Sequence, residues 1–139
     1  MKCRLLCVAL LLAGLSACAH IAPRWISNGP RATEQGVHFS FYAPTAMRVQ
    51  IAGSWPENNW AQGDASAGEA DIGLMTDDNN DGLWEIVVPL PPGRHQYVFW
   101  VDENTWQLDP GNTEEVPGGP AQTASLIVVV VREGEYQLR

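Results

Sequence analysis

The residues of this chain with the clearest capacity to bind a ligand are its six tryptophans. Two of them, Trp100 and Trp106, fall within one stretch, Gly93 to Pro110, which reads GRHQYVFWVDENTWQLDP. A large, rigid aromatic ring offers a flat apolar surface on which another flat ring, such as that of a sugar, can stack. The stretch is therefore predicted to present tryptophan to a ligand, or else to contribute the same rings to a hydrophobic core.

Residue patterns that would support catalysis or metal binding are weak. The three histidines form no nucleophile–base grouping in the sequence. Asp102 and Asp109 would have to face each other across a cleft to act as glycosidase carboxylates, and a small β domain offers no evident cleft. The range 77–82 matches the first half of an EF-hand calcium loop, but Val88 stands where a bidentate Glu is needed. We expect no catalytic residue, no metal site and no cofactor.

The N-terminus predicts export from the cytoplasm. Lys2 and Arg4 precede an apolar run, Leu5 to Ala13, which is too short to span a bilayer and is typical of a secretory signal. The run ends in Leu15-Ser16-Ala17-Cys18, which resembles the bacterial lipoprotein box. Residues 1–17 are therefore predicted to be a lipoprotein signal peptide.

The same resemblance implies that Cys18 becomes the lipidated first residue of the mature chain. Acyl chains such as palmitate contribute about 0.8 kcal/mol per methylene buried in lipid, so they would anchor the chain without a transmembrane helix. Ala19 follows the cysteine, which favours the outer membrane, on its periplasmic face, if the bacterium is Gram-negative. Localisation in the cell envelope is an expectation from these few residues.

Charge and cysteine content narrow the remaining partners. Loss of residues 1–17 removes Cys3, Cys7 and two basic residues, so the mature 122 residues carry 6 basic and 16 acidic side chains, a net charge of −10. Lipidation of Cys18 leaves no thiol for a disulfide or a metal. So acidic a surface repels phosphates, which argues against nucleic acid as a partner. The length fits one domain.

Short strands separated by turns dominate the rest of the chain. Val37 to Ala43 alternates apolar and polar residues with the period of a half-buried strand, and Ser125 to Val131 is a continuous aliphatic run. Residues 18–35 are predicted to be a tether and residues 36–139 an antiparallel β-sandwich. The other predicted strands lie at residues 47–53, 72–75, 83–90 and 93–101, and residues 54–71 and 111–120 are predicted to be loops.

Five short patterns occur in a fixed order along this domain: FSFYAP, GSWPENNW, DGLWE, LPPGRHQYVFWVD and WQLDP. Together they closely resemble carbohydrate-binding module family 48. That family includes the glycogen-binding domain of AMP-activated kinase β subunits and the early-set domain that precedes the catalytic barrel of isoamylases and branching enzymes. The resemblance covers roughly residues 36 to 131. It implies an all-β, immunoglobulin-like early-set sandwich that binds α-glucan without catalysing a reaction.

The resemblance also implies a binding surface. Trp60 and Trp106 fall at the two positions that form the family's aromatic platform for α-1,4-linked glucose. The family's lysine on the hairpin strand is replaced here by Val98. The asparagine that opens the last strand falls near Ala124, and Gln122, Thr123 and Ser125 are candidates to substitute for it. Because polar groups fix the orientation of a sugar, binding is expected to be weak. Other polar side chains, Gln96, Asn104, Gln107 and Asn112, are candidates to compensate.

The role of Trp100 distinguishes two hypotheses for the function of the chain. Trp100 shares a strand face with Val98, and the opposite face, with Tyr97, Phe99 and Val101, is expected to be core. An outward Trp100 is either a third sugar contact or the centre of a protein interface. The alternative function is therefore an early-set fold that has lost sugar binding and serves as a protein-interaction or structural module. Trp55 and Trp84 are expected to be structural.

Overall fold

The structure is a computed structural model that describes residues 26–63 and 71–139. Within these residues the chain forms nine β-strands and one short 3-10 turn at Asn59–Ala61. The strands are β1 (Arg31–Thr33), β2 (Gly36–Tyr42), β3 (Val49–Gly53), β4 (Leu83–Val88), β5 (Gly93–Val101), β6 (Thr105–Gln107), β7 (Glu115–Pro117), β8 (Thr123–Arg132) and β9 (Glu135–Leu138). In the part of the chain that the structure describes, no helix is long and apolar enough to cross a bilayer.

The strands form two antiparallel sheets. The first has the order β1-β2-β4, and the second has the order β3-β5-β8-β7, with β6 also pairing with β5 and β9 with β8. Strand β5 is the centre of the second sheet, since β3 lies on one edge while β8 and β6 share the other. The expectation of an all-β antiparallel fold is confirmed.

Alternation in the sequence explains which faces meet. Val37, Phe39 and Phe41 of β2 are completely buried, and Tyr97 and Phe99 of β5 are buried opposite them. Phe39 meets Tyr97 edge to face with ring centroids 4.9 Å apart. The prediction that one face of β5 belongs to the core is confirmed, and the other face of that strand therefore points away from the sandwich.

The two structural tryptophans lie where the sequence predicted them. Trp55 is 4% exposed and belongs to the main core, beside Phe39 at 6.5 Å between ring centroids. Trp84 packs against the core from β4, and its indole Nε1 donates to the carbonyl oxygen of Ala43 over 3.1 Å. Burial of an indole requires such a partner for its N–H.

Residues 73–76 connect the two sheets at one side of the sandwich. The backbone N–H of Ile51 donates to Gly73 and that of Met75 donates to Val49, so this segment first runs beside β3. One residue later, Thr76 and Glu85 exchange two backbone hydrogen bonds, which attach it to β4 in the other sheet. The predicted strand at residues 72–75 is thus reduced to single bridges, because the chain changes sheets there.

The first sheet begins inside the segment that the sequence predicted to be a tether. The tether, residues 18–35, overlaps the first sheet at β1, while its residues 18–25 and the signal peptide lie outside the described residues. Strand β7 falls inside the predicted loop 111–120.

In the acidic turn, the Asp77 carboxylate accepts from the backbone N–H groups of Asp81 and Gly82, each over 3.0 Å. That carboxylate therefore stabilises a hairpin turn.

Candidate functional site

The outer face of the second sheet carries a small apolar floor made of Ala52, Val98 and Ala124. These residues come from β3, β5 and β8, and Ala52 pairs directly with Val98. All three are completely buried although they point away from the main core. Partly buried apolar side chains cover them, namely Trp60, Ala61, Trp106, Leu108 and Ala121. The two tryptophans that the resemblance singled out are thus brought onto one surface.

The ring of Trp106 is stacked against a second indole, that of Trp100. Trp100 and Trp106 are direct cross-strand partners of β5 and β6, and their rings stack with centroids 4.9 Å apart and planes 11° from parallel. Since stacked rings touch at about 3.5–4 Å, a separation of 4.9 Å implies a sideways offset, the arrangement that aromatic quadrupoles favour. Trp100 points outward, as predicted. Its ring covers part of one face of Trp106.

Trp60 is carried by an unusual left-handed turn. Asn59, Trp60 and Ala61 have φ angles of 43°, 61° and 56°. A left-handed backbone brings Cβ too close to the following carbonyl, at a cost of roughly 1–2 kcal/mol per residue other than glycine. Three such residues in succession persist only where the surroundings hold them, and strain of this kind concentrates at functional sites.

The side chain of Asn58 holds this turn. Its Oδ1 accepts from the backbone N–H of Gly53 over 2.6 Å and from that of Ala61 over 2.9 Å, and its Nδ2 donates to the carbonyl of Ile51 over 2.8 Å. Asn58 is 2% exposed, and its bonds with Gly53 and Ile51 form away from water. One buried amide thus fastens the turn that carries Trp60 to β3.

Gly119 lies against the other side of the Trp60 ring. A methyl group added at Gly119 would come within 2.7 Å of the ring carbon Cη2, closer than real Cβ contacts allow. The absence of a side chain lets the loop between β7 and β8 approach the indole edge. Trp60 is therefore enclosed between a strained turn and a glycine, which restricts its orientation.

The other predicted contacts lie at the two ends of this surface. The side-chain oxygen of Gln96 lies close beside the backbone of Gly118, next to the loop that touches Trp60. Asn104 is exposed in the turn between β5 and β6, and its Oδ1 accepts from Thr105 Oγ1 over 2.5 Å. Gln96 thus adjoins the Trp60 end, whereas Asn104 sits at the hairpin tip beyond the Trp100–Trp106 stack.

Comparison with protein families agrees with this geometry. The model for carbohydrate-binding module 48, the isoamylase N-terminal domain, matches residues 27–116, which is more than half of the chain. The chain belongs to the carbohydrate-binding module 48 family. The resemblance read from the five sequence patterns is confirmed, and the two sheets are those of an immunoglobulin-like early-set sandwich. The family binds carbohydrate. A comparison with curated proteins finds no match.

In this carbohydrate-binding module, a buried polar network centred on Asp109 lies close to Trp106 in the sequence. Tyr97 donates to Asp109 Oδ2 over 2.7 Å, and Gly111 N–H donates to Asp109 Oδ1 over 2.8 Å. The backbone N–H of Asp109 donates to Ser125 Oγ over 3.0 Å. Burial, and next the neighbouring Asp109 charge, raise the pKa of the Tyr97 hydroxyl far above its ordinary value. The network fixes the segment that follows β6 to the start of β8.

Val98 has a role that its sequence position did not indicate. The sequence showed only that it replaces a lysine of the family. In the structure it is the central residue of the floor on which this module's tryptophans rest. A long polar side chain there would have to displace the rings that cover it.

Two features escaped prediction from the sequence. One is the left-handed turn with Asn58; the Asn-Asn pair before Trp60 gave a hint, because asparagine tolerates positive φ better than most residues. The other is a groove beside Trp106. Within the described residues, no group of three or more His, Cys, Asp or Glu side chains is placed to hold a metal.

Proposed function

We propose that this chain is a lipid-anchored, non-catalytic module that binds α-glucan by stacking sugar rings on Trp60 and Trp106. The observation that carries the proposal is the arrangement of both indoles over one apolar floor, on an outer sheet face of a carbohydrate-binding module. The C–H face of a pyranose is apolar and slightly positive, and it is attracted to the negative face of an indole. Rings already held in place lose little entropy when the sugar binds.

Trp100 acts in this proposal as the support of Trp106. Because its ring is stacked against Trp106 at 4.9 Å, it limits the ways in which Trp106 can turn. A protein partner that covered Trp100 would also cover Trp106, so a separate protein interface at Trp100 would compete with sugar. Because Trp60 and Trp106 lie over one apolar floor, as stacking of sugar rings requires, we favour glucan binding over the interaction-module alternative.

The proposal of a non-catalytic module is supported by how the described histidines are used. His95 is 7% exposed and its Nε2 lies 2.7 Å from the carbonyl oxygen of Pro91. His38 lies between Arg31, at 3.2 Å from Nδ1, and Glu85, at 2.9 Å from Nε2. Arginine only donates, so His38 Nδ1 accepts and Nε2 donates to the carboxylate. Both rings thus have structural partners.

Titration of the full chain with maltoheptaose should quench its tryptophan fluorescence. The chain should be kept in a detergent without a sugar headgroup, because maltoside detergents would occupy the same surface. The double variant Trp60→Ala, Trp106→Ala lacks the indoles that report binding, so its affinity is measured by calorimetry; it is expected to lose at least about tenfold, since each aromatic contact contributes about 0.5–1.5 kcal/mol beyond its buried area. Trp84→Phe, on the other sheet, is the matched control and should bind normally. Absence of binding by the unaltered chain at millimolar sugar would refute the proposal.

The lipid anchor is proposed at Cys18, which lies outside the described residues. Expressed in a Gram-negative host with a chemically tagged palmitate, the chain should incorporate the label and be recovered with the outer membrane. Cys18→Ser should abolish labelling, because the thiol is the acceptor of the lipid. Cys7→Ser, within the predicted signal peptide, is the control and should leave labelling unchanged. Persistent labelling of Cys18→Ser would place the modification elsewhere.

A further inference from the structure

An open groove of about 730 Å³ adjoins Trp106 on the side of β7. Its walls are the segment after β6, the loop before β7, and the start of β8. Trp106, Leu108 and Ala121 line the groove and also cover the apolar floor, so the groove continues the tryptophan surface. Its volume falls within the roughly 300–1,000 Å³ that is typical of ligand sites.

Two polar side chains of the groove are committed to the fold. Both carboxylate oxygens of Asp109 accept hydrogen bonds, from Tyr97 and from Gly111. Asn112 donates to the Tyr97 hydroxyl and to the carbonyl of Leu126, and its Oδ1 accepts from Glu114 N–H. Asn112 is thus used to hold the wall, and neither residue has an obvious group left for a ligand.

The remaining polar side chains of the groove are Gln107, Thr113, Glu115 and Thr123. Within residues 26–63 and 71–139 none of these four makes a side-chain hydrogen bond or ion pair. Glu115 and Thr123 project from paired strands, since β7 and β8 are joined by the pairs Glu115↔Ser125 and Pro117↔Thr123. Groups on paired strands are held more rigidly than groups on loops, which favours a preformed site.

We propose that this groove is a second subsite, in which the glucan chain continues beyond Trp106 and its hydroxyls donate to the Glu115 carboxylate. The inference rests on the proposed function. Thr123, Thr113 and Gln107 supply further hydrogen bonds to the same sugar units.

The charge of the groove defines the class of ligand. Among the described residues its lining contains two carboxylates, Asp109 and Glu115, and no Lys, Arg or His. Hydroxyl groups donate well to a carboxylate, and a hydrogen bond to a charged group is about twice as strong as a neutral one. A polysaccharide that carries carboxylate or sulfate groups would be repelled. The subsite therefore selects a neutral, hydroxyl-rich chain.

Chain length separates this subsite from the tryptophan surface. We expect Glu115→Ala, in the detergent-solubilised full chain, to lower the affinity for maltoheptaose by about tenfold. Its affinity for maltotriose, which is short enough to be held by the tryptophans alone, should change less than twofold. Glu114→Ala is the matched control, because Glu114 is the neighbouring exposed acid and does not line the groove.

The outcomes distinguish the two proposals. Equal maltoheptaose affinities for Glu115→Ala and Glu114→Ala, with binding still lost in the tryptophan double variant, would overturn the subsite and leave the proposed function standing. An equal loss for both sugars in Glu115→Ala would also overturn it, because the carboxylate would then belong to the tryptophan surface. Failure of the unaltered chain to bind either sugar would overturn both proposals.

Discussion

Replacing Asn58 with alanine is expected to lower the free energy of unfolding by about 3 kcal/mol or more. The change removes two buried hydrogen bonds, with Gly53 and Ile51 as partners, and a partly buried one with Ala61. Each partner left unpaired and buried costs about 1–3 kcal/mol. The strained residues Asn59 to Ala61 would also lose the group that holds them, so the turn should relax. Urea or thermal unfolding of the variant and the unaltered chain measures the difference.

The same substitution should weaken sugar binding even where the protein remains folded. A relaxed turn no longer holds Trp60 on the apolar floor, so the affinity for maltoheptaose should fall toward that of Trp60→Ala. Asn79→Ala is the matched control, because the Asn79 amide bonds only exposed groups of the acidic turn. Unchanged stability together with normal binding in Asn58→Ala would contradict the role assigned to this amide.

Local pattern predicts the longer strands of this fold and fails at the strands of three or four residues. Strand β2 was predictable because its buried face alternates with more polar residues, and β5 because its centre is a run of aromatic and aliphatic residues. Strands β1 and β9 have only three and four residues, and within the described residues neither has a fully buried side chain, so their sequences carry little strand signal. Their pairing is decided by the neighbouring strand and not by a pattern of their own.

The candidate site was likewise predictable only in part. The family resemblance identified Trp60 and Trp106, and alternation along β5 correctly predicted that Trp100 points outward. The floor could not be predicted, because it depends on the register that aligns Ala52 with Val98 and brings β8 beside them. Register between strands distant in sequence is not encoded in either strand alone. The groove depends likewise on three separate segments.

Loss of the Tyr97 hydroxyl is the second change with a large expected effect. Tyr97→Phe should reduce the free energy of unfolding by about 2 kcal/mol, because it removes a donor to the buried Asp109 carboxylate and an acceptor for Asn112. Tyr136→Phe in the edge strand β9 is the control, and a partly exposed hydroxyl should contribute within about 0.5 kcal/mol. Equal stabilities of the two variants would contradict the network's importance.

The contribution of the Tyr97 hydroxyl to stability should also be measurable at alkaline pH, without a mutation. Burial, and next Asp109, raise the pKa of Tyr97 in the folded chain, whereas the unfolded chain has the ordinary tyrosine pKa of about 10. Below pH 10 both states keep the proton, and its stabilising effect is complete. Above pH 10 the unfolded state alone releases it, so stability should fall by about 1.4 kcal/mol per pH unit from this group. Lys2 is the only lysine and arginine stays charged, so few other side chains titrate there. Tyr97→Phe should therefore lose stability less steeply above pH 10 than the unaltered chain; parallel slopes would show that the hydroxyl is not held as the structure indicates.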